Sequence, residues 1–272
     1  LSFAQPAMVV VGAGFISYFA TQLGIPFIFA FIIGIILTGL LGFILERTFL
    51  RPMVGEPVFS VAVLTIGIDI LLRVVLDNWI GINPKYMGDP FPSYGNFGSL
   101  NIGGLTVKYL EVTALITSLI LIFILSVFFK RSKYGVAMRA TSLDQEAALA
   151  QGINVGRVFG LVWFIAGLLA AFAGFFITGG FNTLTNTSFI SALRALPAVV
   201  IGGLDSITGA IIGSLIIGLT QAYVGYYQFD IESAYNIKLG NGFSIVAPYL
   251  IMFVILLVKP HGLFGTEEVE RV

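Results

Sequence analysis

Apolar residues in this chain come in long unbroken runs, not in the alternation of a half-buried strand or the narrow stripe of a surface helix. Eight segments stand out: 7–23, 25–45, 58–80, 111–129, 158–178, 189–204, 206–227 and 244–258. A helix needs about 20 apolar residues, with about 17–25 the usual range, to cross a hydrocarbon core. Segments 189–204 and 244–258 fall short of that. The pattern predicts an all-α fold, a polytopic transmembrane bundle of about eight membrane segments, some short or broken. No soluble domain fits between them, so 1–272 reads as a single transmembrane domain.

Polar residues gather in the connections, and their charge gives the orientation. Loops 46–57, 130–157 and 259–272 hold two, five and two Lys or Arg residues; 81–110, 179–188 and 228–243 together hold three. Cytoplasmic loops carry the excess of Lys and Arg, which puts the first set inside. That assignment requires 189–204 to cross; if it is re-entrant, the tail with Lys259 and Arg271 moves outside. The external loop 81–110 is marked by turns at Asn83-Pro84, Asp89-Pro90 and Phe91-Pro92. Residues 100–108 fit a short hairpin around Gly103-Gly104. Such a cap suits a soluble delivery protein, or is simply an ordered loop.

Composition narrows the class further. The 272 residues are 57% hydrophobic and 10% charged, with mean hydropathy +0.99; an average soluble domain carries about 25% charged residues. Net charge is zero, which argues against nucleic acid as a partner. There is no Cys, and the one His is His261. The sequence contains no HExxH and no phosphate-binding Gly-Lys-Ser/Thr loop. It therefore offers no catalytic residues, no metal ligands and no cofactor site, and it cannot hydrolyse ATP itself.

Within 130–157 a short helix is expected over 143–151. Ser142 is placed to cap it, with Gln145 three residues on as in a capping box. Asp144 and Glu146 fall in the first turn, where carboxylates meet the positive end of the helix dipole, and Gly152 suits the C-terminal stop. Ala147, Ala148 and Ala150 let another surface approach the backbone closely. The whole reads as a docking helix on the cytoplasmic face.

Glu146-Ala147-Ala148, followed after three residues by Gly152, resembles the EAA loop of ATP-binding-cassette importer permeases. Tyr134-Gly135-Val136-Ala137-Met138-Arg139-Ala140 and Gly152-Ile153-Asn154-Val155 resemble the branched-chain amino acid permease family. So do Glu46-Arg47 with Arg51-Pro52, the Thr65-Ile66-Gly67 run and the tail Lys259-Pro260-His261-Gly262-Leu263-Phe264-Gly265. The resemblance spans nearly the whole chain. It implies a permease subunit in the cytoplasmic (inner) cell membrane and a branched-chain or related amino acid as substrate; close relatives serve urea and short amides. It also implies cytoplasmic ATP-binding subunits, a second permease subunit (as hetero- or homodimer) and an extracytoplasmic substrate-binding protein. One more apolar helix is expected upstream of Leu1. Glu146, Ala147, Ala148 and Gly152 become the candidates for ATPase coupling.

Candidates for the translocation path come from polar residues and breaks inside the apolar runs. Asp69, Arg73 and Asp77 are spaced four and four, on one helix face. A charge at the bilayer centre costs about 2.5–3.5 kcal/mol, so the face should point into protein or water, either lining the path or as a structural ion pair. Pro6 to Gly12 recurs loosely as Pro197 to Gly202, beside Arg194 and Asp205. Paired interruptions in two halves of a transporter point to a site near the midplane; chance similarity of apolar runs is the alternative. Ser2 and Gln5 stand where the family resembled carries Asn and His. Gly209 with Gly213 and Gly218, and Gly167 with Ala171 and Gly174, read as helix-packing faces. A rival of another class is a self-contained secondary carrier coupled through Asp69, but it has no need of the marked docking helix. Reporter fusions test the topology: after Lys133 or Gly265 the reporter is expected to read cytoplasmic, after Ser93 external, and an external reading at Gly265 would refute the eight-segment arrangement.

Overall fold

The structure, a computed structural model, describes residues 2–80, 85–88, 98–102, 105–179, 183–185, 188–193, 195–240 and 242–265. The chain divides into two compact units, Leu1–Ala192 and Leu193–Val272.

In the first unit, helix α1 (Gln5–Ser17) runs on into a π-turn at Tyr18–Gln22. Helix α2 (Phe27–Leu45) ends in a second π-turn, Glu46–Leu50, and a 3-10 turn, Arg51–Met53. Then follow α3 (Val58–Ile80), α4 (Tyr109–Arg131), α5 (Lys133–Leu143), α6 (Gln145–Ala150), α7 (Val155–Gly179) and α8 (Ser188–Leu193). Helix α1 is the centre. It is apolar on every side and buried without a break from Pro6 to Gly14, as a helix with no polar face must be. Helices α2, α3 and α7 pack around it. Two short antiparallel pairings complete the unit: β1 (Lys85–Tyr86) with β4 (Thr183–Leu184), and the hairpin β2 (Ser99–Ile102) with β3 (Leu105–Lys108). The hairpin agrees with the expectation for 100–108; Gly103 and Gly104, like the turns at 83–84 and 89–92, lie outside the described residues.

Lipid supplies no hydrophobic drive between helices, so close backbone approach has to join them. The small-residue face of α7 does this. A Cβ on Gly167 would lie 2.5 Å from the Thr38 carbonyl oxygen of α2, and one on Gly12 of α1 would lie 2.5 Å from the Ala171 Cα. A Cβ on Gly174 would overlap the Val9 carbonyl oxygen.

The second unit comprises α9 (Ala195–Gly202), α10 (Ile207–Tyr235) and α11 (Phe243–Val258). Gly209 and Gly213 of α10 are packed on Gly202 and the Ala198 carbonyl of α9, so closely that a Cβ at either would overlap backbone. Gly218 meets nothing and is not part of that face. The tail folds back over the end of α9: Leu263 N–H donates to the Ile201 carbonyl (2.8 Å) and Phe264 N–H to that of Gly202 (3.1 Å). The last carbonyls of a helix have no partner within it, and the Gly-Leu-Phe-Gly tail supplies one.

Among the described residues, five helical stretches are long and apolar enough to cross a membrane: Phe27–Met53, Phe59–Trp79, Tyr109–Arg131, Val155–Gly179 and Ile207–Tyr235. Helix α11 is apolar but only 16 residues long. Within segment 189–204 the described residues on both sides of position 194 are helical. Pro6 sits in the first turn of α1, where its missing N–H is not needed, so it starts that helix and does not kink it.

The packing face is tested by substitution. Gly174→Leu is expected to abolish folded protein, since overpacking costs about 1–3 kcal/mol or more even where neighbours can shift and here the neighbour is backbone. Gly218→Ala should leave the monodisperse peak of a fluorescent fusion unchanged in size-exclusion chromatography. Equal yields of the two variants would mean that α7 does not lie against α1 as described.

Candidate functional site: the docking helix and the cavity behind it

The loop 130–157 is two helices, not one. Ser132 ends α4 and caps α5, its Oγ accepting from Gly135 N–H at 2.8 Å. Gly135 is required at this corner, because a Cβ there would lie 2.5 Å from the Phe128 carbonyl oxygen. Helix α5 carries the chain to Leu143. Asp144 then takes an extended conformation and caps α6, its Oδ1 accepting from Ala147 N–H at 3.0 Å. The expected cap, Ser142, is instead the penultimate residue of α5, and its hydroxyl donates to the Arg139 carbonyl. The stop is as expected. Gly152 has φ +80°, Gly152 N–H reaches the Leu149 carbonyl and Ile153 N–H reaches that of Ala148, the paired bonds of a Schellman motif. Asn154 Oδ1 caps α7 by accepting from Arg157 N–H.

Helix α6 is therefore short, fixed at both ends and presented to solvent. Glu146, Ala147, Leu149 and Ala150 are exposed; Ala148 is its one buried residue, 3% exposed. Leu143, 87% exposed, stands at its start.

Two cavities lie behind this helix. The first, about 460 Å³, is lined by Met138, Thr141 and Leu143 of α5, Gln145 of α6, and Val158, Phe159 and Val162 of α7. The second, about 390 Å³, shares Gln145, Phe159 and Val162 with it, and its lining continues to Ser2, Gln5, Glu46, Glu56, Trp163 and Ala166. Gln145, the first residue of α6, thus faces both. Ser2 and Gln5, predicted for the path, are brought here together. Glu46, Glu56 and Trp163 were not singled out for it. Glu46 closes an apolar run and by sequence belongs to a solvated loop; in the structure a π-turn carries it on along α2 and buries it.

Asp69 and Arg73 form an ion pair, but neither is among the residues lining the cavity. The Asp69 carboxylate faces the start of α1 and accepts from Ala7 N–H at 3.1 Å. One turn before it on α3, Thr65 Oγ1 accepts from Phe3 N–H at 3.1 Å. A helix start away from water needs such acceptors, and a negative charge there also meets the dipole. Asp69 is buried, Arg73 half-buried and Asp77 exposed, so the expected common inward face holds for the first two alone. Gly202 packs against Gly209 of α10, Pro197 is buried, and Arg194 lies outside the described residues. Among the described residues no group of His, Cys, Asp and Glu is arranged to hold a metal.

The family profile described as "Branched-chain amino acid transport system / permease component" matches residues 1–258. The chain belongs to this family. It is similar to the high-affinity branched-chain amino acid transport system permease protein BraD of Pseudomonas aeruginosa, 28% identical over 244 residues, 89% of this chain and 76% of that protein. It is also similar to LivH of Salmonella typhimurium, of the same description, 30% identical over 248 residues, 89% and 75%. A more partial likeness is to the galactose/methyl galactoside import permease protein MglC of Haemophilus influenzae, 30% identical over 152 residues, 50% and 44%. No solved structure matches the chain. The permease is thus a multi-pass membrane protein.

The geometry of Asp69 gives this site its test. Asp69→Asn or Arg73→Gln alone should lower the folded yield of the permease, because removing one member of a buried pair costs about 3–5 kcal/mol. The double variant Asp69→Asn/Arg73→Gln should recover it, since the amide oxygen still accepts from Ala7. Asp69→Leu/Arg73→Leu should not. Recovery in the Leu pair, measured by thermal unfolding in detergent, would refute the capping role.

Proposed function

We propose that the permease is the membrane-spanning subunit of an ATP-driven importer that carries branched-chain amino acids into the cell across the cytoplasmic membrane. In this reading a separate pair of cytoplasmic subunits hydrolyses ATP, a second permease subunit completes the path, and an extracytoplasmic protein delivers the substrate. The observation that carries the reading is α6. A helix of six residues, capped at one end by Asp144 and stopped at the other by Gly152, with one buried side chain, contributes little to the core of its own unit. It is built to be gripped from outside.

Glu146, Ala147, Ala148 and Gly152 divide the labour. Ala148 seats α6 on the body of the permease, Ala147 and Ala150 leave its outer face low enough for a groove to close over it, and Glu146 offers a charge for the groove to pair. Gly152 turns the chain from α6 towards α7 through a left-handed conformation that side chains resist. Because Gln145 lines the cavity that Ser2 and Gln5 also line, a displacement of α6 reaches the wall of that cavity directly. Substrates named for the relatives BraD and LivH are branched-chain amino acids, which supports the same class here. The partial likeness to a sugar permease supports the import reading more than it supports a sugar. No feature of α6 serves a secondary carrier.

Reconstitution with the ATPase and delivery proteins is expected to give ATP-dependent leucine uptake. Glu146→Arg and Gly152→Asp should leave the permease inserted while abolishing both uptake and ATPase co-purification. Leucine uptake without ATPase, or normal ATPase capture by both variants, would overturn the proposal.

A further inference from the structure

The charged side chains in the wall of the 390 Å³ cavity are of one sign, Glu46 and Glu56, with no Lys or Arg among the lining residues. Glu56 is exposed and stands at the rim. Glu46 is 1% exposed, and neither of its carboxylate oxygens receives a hydrogen bond. Arg51 is ion-paired with Glu46, its Nε 3.6 Å from Oε1, which is beyond hydrogen-bonding reach, and its Nη2 donates to the Gly156 carbonyl at 2.8 Å. The place is shaped for the acid. A Cβ on Gly160 of α7 would lie 2.7 Å from the Phe43 ring and 3.2 Å from Oε2, and one on Gly156 would lie 3.2 Å from Arg51 Nη2. A carboxylate offers about four acceptor positions, and burying them without donors is unfavourable. Packing alone does not account for an acid in this wall. The α7 residues of the lining, Phe159, Val162, Trp163 and Ala166, are apolar, as are Leu50, Met53, Val54 and Val61.

A lining that combines carboxylates with apolar side chains selects a ligand with a cationic donor at one end and hydrocarbon at the other. We propose that this cavity is a binding site for aliphatic primary ammonium groups, with Glu46 and Glu56 receiving the –NH₃⁺ and the α7 wall receiving the side chain. The inference rests on the permease reading in one respect: the transported amino acid is the natural bearer of that ammonium. Three N–H donors match the vacant acceptor positions of Glu46, and an aliphatic carboxylate lacking the amine finds no cation in the lining.

The chain has no cysteine, so Ala166→Cys places a single reporter thiol of the permease in the apolar wall. The complex with its ATPase subunits, in nanodiscs, is alkylated with a small maleimide and labelling is read on the permease band. 3-Methylbutylamine is expected to slow alkylation and 4-methylpentanoate to leave it unchanged. Adding Glu46→Gln or Glu56→Gln should raise the amine concentration needed for protection, by about tenfold for Glu46, the loss of one charge-assisted contact. Equal protection by amine and acid, a reporter thiol that does not react with the maleimide, or amine protection unaffected by both glutamine variants would each overturn the site. If Glu46→Gln does not assemble, the amine–acid comparison and Glu56→Gln decide it. Failure of leucine uptake with amine protection intact discards the substrate reading and leaves the site; leucine uptake without amine protection does the reverse.

Discussion

A helix that starts inside a membrane protein has backbone N–H groups with no partner in the helix and no water to take them. Helix α1 is in this position, and much of the first unit follows from it. The residue before the helix, Ala4, gives no side-chain cap. Pro6, in the first turn, has no N–H to satisfy. The remaining donors turn to α3, where Thr65 and Asp69, one helical turn apart, meet Phe3 and Ala7. That contact fixes α3 in depth and rotation against α1. It also brings a carboxylate into an apolar bundle, and Arg73 follows one turn on to balance its charge.

Helix α7 is the second organiser, and it uses one device for two purposes. Towards one end, Gly167, Ala171 and Gly174 let the backbones of α1 and α2 come into contact. Towards its start, Gly156 and Gly160 leave the same kind of space, but Arg51, Phe43 and Glu46 fill it. Absent side chains thus hold helices together in the middle of the bundle and admit an ion pair near its end. The same start of α7 follows directly on the Gly152 turn that ends α6. Helix α6, the cavity wall and the packing face are consecutive stretches of one piece of chain.

Much of this was legible from residues alone, for local reasons. Apolar runs identify the helices, because every membrane helix must satisfy its backbone internally. The glycine faces of α7 and α10 were visible as spacings, and Gly152 as a stop. The failures also have physical causes. Ser142 and Asp144 are both good caps two residues apart, and only the second helix, α5, decides between them by absorbing Ser142. The purpose of Asp69 depends on Ala7 N–H, 62 positions away in sequence and carried by backbone that any residue has. Glu46 followed an apolar run and so was assigned to solvent, because a π-turn that prolongs a helix leaves no mark in hydrophobic periodicity.

The position of Gln145 has a thermodynamic consequence. Any ligand in the cavity that touches Gln145, or the Phe159 and Val162 shared by both cavities, alters the free energy of the wall that α6 belongs to. Any protein that grips α6 acts on the same wall from the other side. Linkage requires the two effects to be equal: whatever the grip does to the affinity of the cavity, occupancy of the cavity does to the affinity of the grip. The coupling needs no long pathway, since one residue borders both partners. It does need α6 to have two positions that differ in how they leave the cavity, because a ligand with equal affinity for both shifts nothing. The construction of α6 suits this demand. Its ends are fixed by Asp144 and Gly152, so the helix stays intact when it shifts, while a single buried alanine holds it to the body of the permease.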